Sequence, residues 1–135
     1  MPIQYRSDQL RKSLAALHAA APGLIGSAIS TTDGLVIAVY PPGWDSDIQD
    51  PTGGENVAAM AAVVAGMAER TMVRLAQGEL ERVLMEGEKG TVAVYPITHD
   101  SALAVLIDKE AKLGLTLQAV RKTADELHEV LKQKR

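Results

Sequence analysis

The sequence predicts an α+β protein in a three-layer arrangement, with helices on both faces of a central five-stranded antiparallel sheet, in the order αββαβββα. Three observations lead to this prediction. Five short, mostly apolar segments are bounded by turn residues, as strands are. Three longer segments have apolar residues at helical spacing and stand first, in the middle and last. The length of 135 residues suits one core, so we interpret 1–135 as a single domain.

The first half of the chain supplies a helix, a hairpin and a long loop. Residues 7–21 form the predicted helix, because leucines recur at helical spacing after a serine suited to the N-cap, and a Pro-Gly pair ends the pattern. Residues 24–30 and 35–40 are predicted strands joined by a Thr-Thr-Asp-Gly turn. Residues 41–54 form an acidic loop rich in Pro and Gly, which is long for a connection inside a compact domain.

The second half supplies the central helix, a meander and a closing helix. The central helix is predicted over residues 55–77, with Gly78 as the residue that ends it. Three antiparallel strands follow, at residues 79–86, 91–97 and 102–107. The C-terminal amphipathic segment 113–135 contains the last helix, over residues 113–132, which has leucines on one stripe and charges elsewhere.

Composition excludes several classes of protein. The 14 basic and 17 acidic residues give a net charge of -3, which argues against a nucleic-acid binder that neutralises phosphates. The absence of cysteine excludes disulfides and thiol chemistry and is consistent with a cytoplasmic location. No apolar run approaches the roughly 18 residues of a membrane span, so we expect no integral membrane segment. The closing helix ends in a basic tip, which either touches an acidic surface or is a solvated helix end, at Lys132, Lys134 and Arg135.

Motifs that carry catalytic chemistry are missing. The sequence contains no phosphate-binding loop, dinucleotide fingerprint, zinc-protease motif or serine nucleophile elbow. His18, His99 and His128 are dispersed without ligand spacing, so we interpret each as a surface or structural histidine. We therefore expect no catalytic residue, no cofactor and a protein that is not an enzyme.

The acidic loop holds the best metal candidates and the single tryptophan. Asp45 and Asp47 fit two positions of an EF-hand calcium loop, but Asp50 stands where that loop needs glycine, and the glutamate comes one residue early at Glu55. We expect no metal site there. Trp44 has two interpretations, as an exposed anchor for a partner or as a side chain that folds back over a sheet edge.

The central helix is uncharged on every side over residues 57–68. An amphipathic surface helix has one apolar stripe, which here would be Val57, Ala61, Val64, Ala68 and Leu75. Small residues on the other sides permit close approach of another backbone, and the strand at 79–86 would lie on a sheet edge that a second copy could pair with. The sequence therefore predicts a homodimer, with alanine used merely as a helix former as the alternative.

In this order and spacing, residues 26–38, 58–68, 77–80, 90–96 and 102–106 resemble the Roadblock/LC7 family, and within it bacterial members of the gliding-motility type. The resemblance covers nearly the whole chain, except that we expect the 41–54 loop to be shorter in many relatives. It implies a homodimer whose sheets join through the strand after the central helix, and a small Ras-like GTPase as partner. It also implies GTPase activation without a catalytic residue of the regulator itself, by reshaping the partner's switch loops.

The resemblance also assigns candidate residues to two surfaces. The implied partner-binding residues are Ala58, Ala62, Ala65 and Gly66, with Glu69 and Arg70 at the rim. The implied dimer interface contains Met60, Met67, Leu80, Arg82, Val83, Leu84 and Met85. Two other functions stay open, a small-ligand sensor whose pocket is closed by Trp44 and its loop, and an interaction scaffold without effect on a GTPase.

Overall fold

The computed structural model describes residues 2–47 and 49–132, with side chains from residue 7 onward. These residues form α1 Pro2–Ala20, β1 Leu24–Thr31, β2 Val36–Tyr40, α2 Gly54–Arg74, β3 Val83–Glu86, β4 Gly90–Thr98, β5 Ser101–Asp108 and α3 Leu113–Lys132. Of the predicted basic tip, Lys134 and Arg135 lie outside the described residues.

The strands form one antiparallel sheet in the order β2-β1-β5-β4-β3. The hairpin β1-β2 and the meander β3-β4-β5 meet where β1 pairs with β5, which places Ala28 opposite Ala104. The edge strands are β2 and β3. The predicted α+β class, the order of elements and the five-stranded antiparallel sheet are confirmed.

The two faces of the sheet are packed with side chains of different size. On one face, α1 and α3 bury large side chains such as Leu10, Leu14 and Leu127 against Tyr95 of β4. On the other face, α2 packs through alanines against Val94 and the alanines of β5. Small residues on both sides let the α2 backbone approach the sheet closely, which is how a chain with few aromatic residues fills this layer.

The turn between β1 and β2 rests on α2. Gly34 has a φ of +88°, a left-handed conformation that suits glycine, and a Cβ added to it would lie 3.3 Å from the Cα of Ala59. Glycine here therefore lets the end of the first hairpin pack closely against the N-terminal half of the central helix.

The central helix ends three residues earlier than predicted. Ala76, not Gly78, follows the C-cap in the left-handed conformation, with a φ of 56°. The N–H of Ala76 donates to the carbonyl of Val73 at 3.1 Å, and the N–H of Gln77 donates to the carbonyl of Met72 at 2.9 Å. This pair of bonds is a Schellman motif, which satisfies the last carbonyls of the helix.

Strand β3 is shorter than the predicted strand 79–86, because it begins only at Val83. Leu80 and Arg82 therefore lie in an irregular linker and not in the sheet. The linker follows Gly78, which has a φ of +89°, so the chain turns there before it can pair with β4.

Candidate partner-binding surfaces

The stripe of α2 that faces the sheet differs from the predicted one. Val57 and Ala61 are buried as expected, but Ala58 and Ala65 are buried beside them. Because these alanines contact the sheet, they cannot present side chains to a partner, which corrects their assignment to the partner-binding set.

The other predicted members of the sheet-facing stripe are accessible. Val64 and Ala68 are half-buried, and Leu75 lies beyond the helix with 61% of its surface exposed. Each residue of an α-helix turns by about 100°, so residues 57, 58, 61 and 65 share one side, and residue 64 falls at its margin.

One accessible side of α2 is an apolar strip, which we call the methionine stripe and define as Met60, Val64 and Met67. Met60 is 61% exposed and Met67 is 58% exposed, and Val64 between them is half-buried. Their i, i+4, i+7 spacing places them on the same side of the helix. Monomeric proteins rarely leave aligned large apolar side chains in water unless the surface has a binding role.

The second accessible side of α2, which we call the small-residue face, consists of Ala62, Gly66, Glu69 and Arg70. Ala62 and Gly66 are half-buried, while Glu69 and Arg70 are exposed. The Arg70 guanidinium folds back along the helix, with Nη1 3.6 Å from the position of a Cβ on Gly66. This face combines a close-approach surface with a charged rim.

The edge strand β3 contributes one side chain to the cluster between α2 and the sheet. Val83 packs in the cluster that contains Ala61 and Ala65, Leu84 packs toward α1 and α3, and Met85 is 37% exposed. In the described part of the chain, the outer backbone edge of β3 has no strand beside it. Leu80 is half-buried and Arg82 is exposed in the linker that leads to this edge.

Trp44 folds back onto the sheet, in agreement with the second of its two interpretations. A Cβ on Gly26 of β1 would lie 2.5 Å from the indole Cζ2, and a Cβ on Gly54 would lie 2.8 Å from Cε3. Glycine at both positions makes room for the ring, which is half-buried against the α2 face. The N–H of Gly54 donates to the Trp44 carbonyl at 3.0 Å, which ties the loop to the start of α2.

A groove of about 600 Å³ lies where the end of α2, the linker, the end of β4 and α3 meet. Its apolar part includes Val73, Leu80 and Ile97, and its carboxylates are Glu69, Glu79 and Asp125. Lysine and arginine are absent from the described residues that line it. A cavity of about 500 Å³ lies elsewhere, between the ends of α1 and β5 and the start of α3. Residues of the 41–54 loop line neither cavity, so neither is a pocket closed by Trp44.

The histidines have separate structural environments. His18 of α1 shares a hydrogen bond of 2.9 Å between Nε2 and Oγ of buried Ser27, and its ring lies 4.6 Å from that of Tyr40. Burial lowers the pKa of His18 below its ordinary value of 6.5. His128 bonds through Nδ1 to the Ile97 carbonyl at 2.6 Å, and His99 lies in the exposed β4-β5 turn.

The described residues contain neither a group of side chains suited to a metal ion nor a helix suited to a membrane. Within residues 7–47 and 49–132, no three His, Asp or Glu side chains are placed to hold a metal ion. None of the helices described is long and apolar enough to cross a membrane.

Comparison with known proteins gives a family match and several similar folds. Residues 12–107 match the model of the Roadblock/LC7 domain. An uncharacterized protein of Methanocaldococcus jannaschii is 35% identical over 105 residues, which cover 78% of this chain and 85% of that protein. The match to the domain model ends before α3, so the closing helix lies outside it.

Two solved structures illustrate the likeness in fold. A Roadblock/LC7 domain from Streptomyces avermitilis superposes with a TM-score of 0.78 at 18% identity, covering 91% of this chain and 98% of that one. The gliding protein mglB from Thermus thermophilus superposes with a TM-score of 0.80 at 16% identity, covering 94% of this chain and 91% of that one.

Proposed function

The chain belongs to the Roadblock/LC7 family, and from this membership we propose that it is a regulator without catalytic residues that binds a small Ras-like GTPase and modulates its GTP hydrolysis or nucleotide state. The observation that carries the proposal is the uncharged stretch 57–68 of the central helix, whose two accessible sides expose apolar and small residues to water. A cytoplasmic role in cell polarity or motility is part of the proposal, supported by the likeness to a gliding protein.

The methionine stripe and β3 form the dimer interface in this proposal. A second copy related by a two-fold axis would cover Met60 and Met67 and pair with the edge of β3 at residues 83–85. Leu80 and Arg82 would lie at the rim, because they are in the linker and not in the strand. Joining the edges would continue the sheet across the dimer.

The small-residue face contacts the GTPase in this proposal. Ala62 and Gly66 allow the partner's backbone to approach closely, and Glu69 and Arg70 offer charges at the margin. Activation then requires no catalytic group from this chain. Binding would reshape the switch loops so that the partner's own residues align the attacking water.

The experiment is to mix the purified protein with GTP-loaded Ras-like GTPases from its own organism and to measure complex formation, hydrolysis and nucleotide exchange. Ala62→Arg should abolish binding, because a long charged side chain would enter a close backbone contact. Gln118→Arg is the matched control, since it adds the same charge to the exposed surface of α3 on the other face of the sheet.

Each result has a definite meaning. Binding with a changed rate of hydrolysis or exchange supports the proposal. Binding without any change in rate would replace it with the second candidate, an interaction scaffold, which the same exposed surfaces favour. Failure of every GTPase to bind, or equal loss of binding in both variants, would contradict the assignment of this face.

A further inference from the structure

The groove beside α2 continues from the small-residue face. A recess of about 50 Å³ is lined by Ala62, Gly66, Thr31 and other small or hydroxyl-bearing residues. Glu69, Pro96 and Thr98 line both this recess and the larger groove. The two cavities therefore adjoin and together extend the candidate partner surface from the middle of α2 to α3.

Charge in the groove has one sign. Glu69, Glu79 and Asp125 come from three different elements, and no ion pair between described side chains engages any of them. His99 and His128 are the other titratable groups in the lining, and neither adds negative charge. Unpaired carboxylates around a concave surface favour a cationic occupant.

Apolar side chains lie between the carboxylates. Val73 is 74% exposed on the α2 wall, and Leu80 is half-buried opposite β4. Lysine and arginine have long apolar stems, which pack on such surfaces while the charged end reaches a carboxylate. A volume of about 600 Å³ holds several side chains, which fits a peptide segment better than a single ion.

A buried hydroxyl lies on the same side of the sheet as the recess. Ser30 is 1% exposed, and its Oγ has no hydrogen-bond partner among the described residues. Ser30 pairs with Ala102 across β1 and β5, and paired residues point to the same face of a sheet. Because Ala102 lines the recess, the hydroxyl lies on the recess side of the sheet, but Ser30 is not itself a lining residue, so an N–H donor would reach its Oγ only after the lining moves.

We propose that the groove and recess bind a basic, partly apolar segment of the partner protein, with a lysine or arginine held by Glu69 and a further cation between Glu79 and Asp125. This inference rests on the proposed function, because it names the chemistry that the small-residue face would meet in its partner. In this proposal, the carboxylates around the small-residue face determine which partner it binds.

The test uses a fluorescein-labelled peptide of alternating Lys and Leu and the full chain. Fluorescence anisotropy should show binding, and the amide resonances of Gly78 and Thr98 in the groove should shift. The peptide with Glu in place of Lys should not bind. The double variant Glu69→Lys/Asp125→Lys should weaken binding roughly tenfold or more, because it reverses two contacts with the cation.

The matched control is Glu55→Lys/Glu126→Lys, which makes the same change in net charge on exposed positions of α2 and α3 outside the groove. Equal weakening by both double variants would overturn the proposal, since general attraction would then explain binding. In the Met60→Ser/Met67→Ser variant, which should not dimerise, shifts of groove resonances on concentrating the protein alone would also overturn it, because the occupant would be another copy of this chain.

Failure of the groove and failure of the proposed function are distinguishable. If Ala62→Arg abolishes GTPase binding while the groove variant leaves it unchanged, the function stands and the groove proposal fails. If the peptide binds in the groove while no GTPase forms a complex, the groove stands and its partner belongs to another class.

Discussion

If the chain forms the proposed homodimer, removing the methionine stripe should dissociate it. Burying a whole methionine side chain stabilises the buried state by roughly 1.5–3 kcal/mol relative to the exposed state. Met60 and Met67 are 61% and 58% exposed, so about 60% of that burial remains to be gained on dimerisation. Each contributes about 1–2 kcal/mol, and four copies in a two-fold dimer contribute about 4–7 kcal/mol in all. Met60→Ser/Met67→Ser should therefore raise the dimer dissociation constant by about 10³–10⁵.

Sedimentation equilibrium over a range of concentrations measures this change directly. Circular dichroism should stay unchanged in the variant, because both side chains are exposed in the monomer. Leu115→Ser is the control, since Leu115 is 64% exposed on α3, away from the stripe. A dimer that persists in the double variant, or that Leu115→Ser weakens equally, would refute the argument from apolar exposure.

Three changes test the fold. Trp44→Ala should lower the free energy of unfolding by about 2–3 kcal/mol, because it removes a half-buried ring that packs over two glycines. Urea unfolding measures this change, and an unchanged midpoint would mean that the loop is not packed on the sheet. Ala76→Gly should raise the free energy of unfolding by about 0.5–1 kcal/mol, because glycine adopts the left-handed conformation of this position without the strain that alanine has. A lower free energy of unfolding would contradict the Schellman assignment. Burial lowers the pKa of His18, so His18 binds a proton more readily in the unfolded chain than in the folded one. The free energy of unfolding should therefore have its full value above about pH 6.5 and decrease as the pH falls below it. His18→Gln should flatten that pH dependence while His99→Gln leaves it intact.

The order of elements was predictable because turn residues separate apolar segments of clearly different period. The residue patterns that predict helices and strands depend on local chemistry, and every predicted helix and strand is present in the folded chain. Among the strands, β3 was the exception in its length. Four residues of the predicted strand are absorbed by a linker whose path depends on the Schellman end of α2, which the sequence signalled at Gly78 and the structure places at Ala76.

The candidate surfaces were predictable only in part, because the sequence of an uncharged helix does not show which of its sides faces the sheet. Over residues 57–68 every position is compatible with burial, so the stripe that the sequence predicts to face the sheet leaves out Ala58 and Ala65, which are buried there. The groove could not be predicted from the sequence. Glu69, Glu79 and Asp125 are far apart in the chain, and only the packing of α2, the linker and α3 brings them to one cavity.

If the dimer and the GTPase contact α2 as proposed, the absence of charge over residues 57–68 follows from the use of three sides of one helix. Residues 57, 58, 61 and 65 face the sheet. At about 100° per residue, the methionine stripe and the pair Ala62 and Gly66 lie roughly 150° apart on the remaining surface. A second copy on the stripe would therefore leave the small-residue face open to a partner. A charge on the inner side would be buried, and one in either contact would be desolvated on binding, so charges return only from Glu69 onward, where the groove begins.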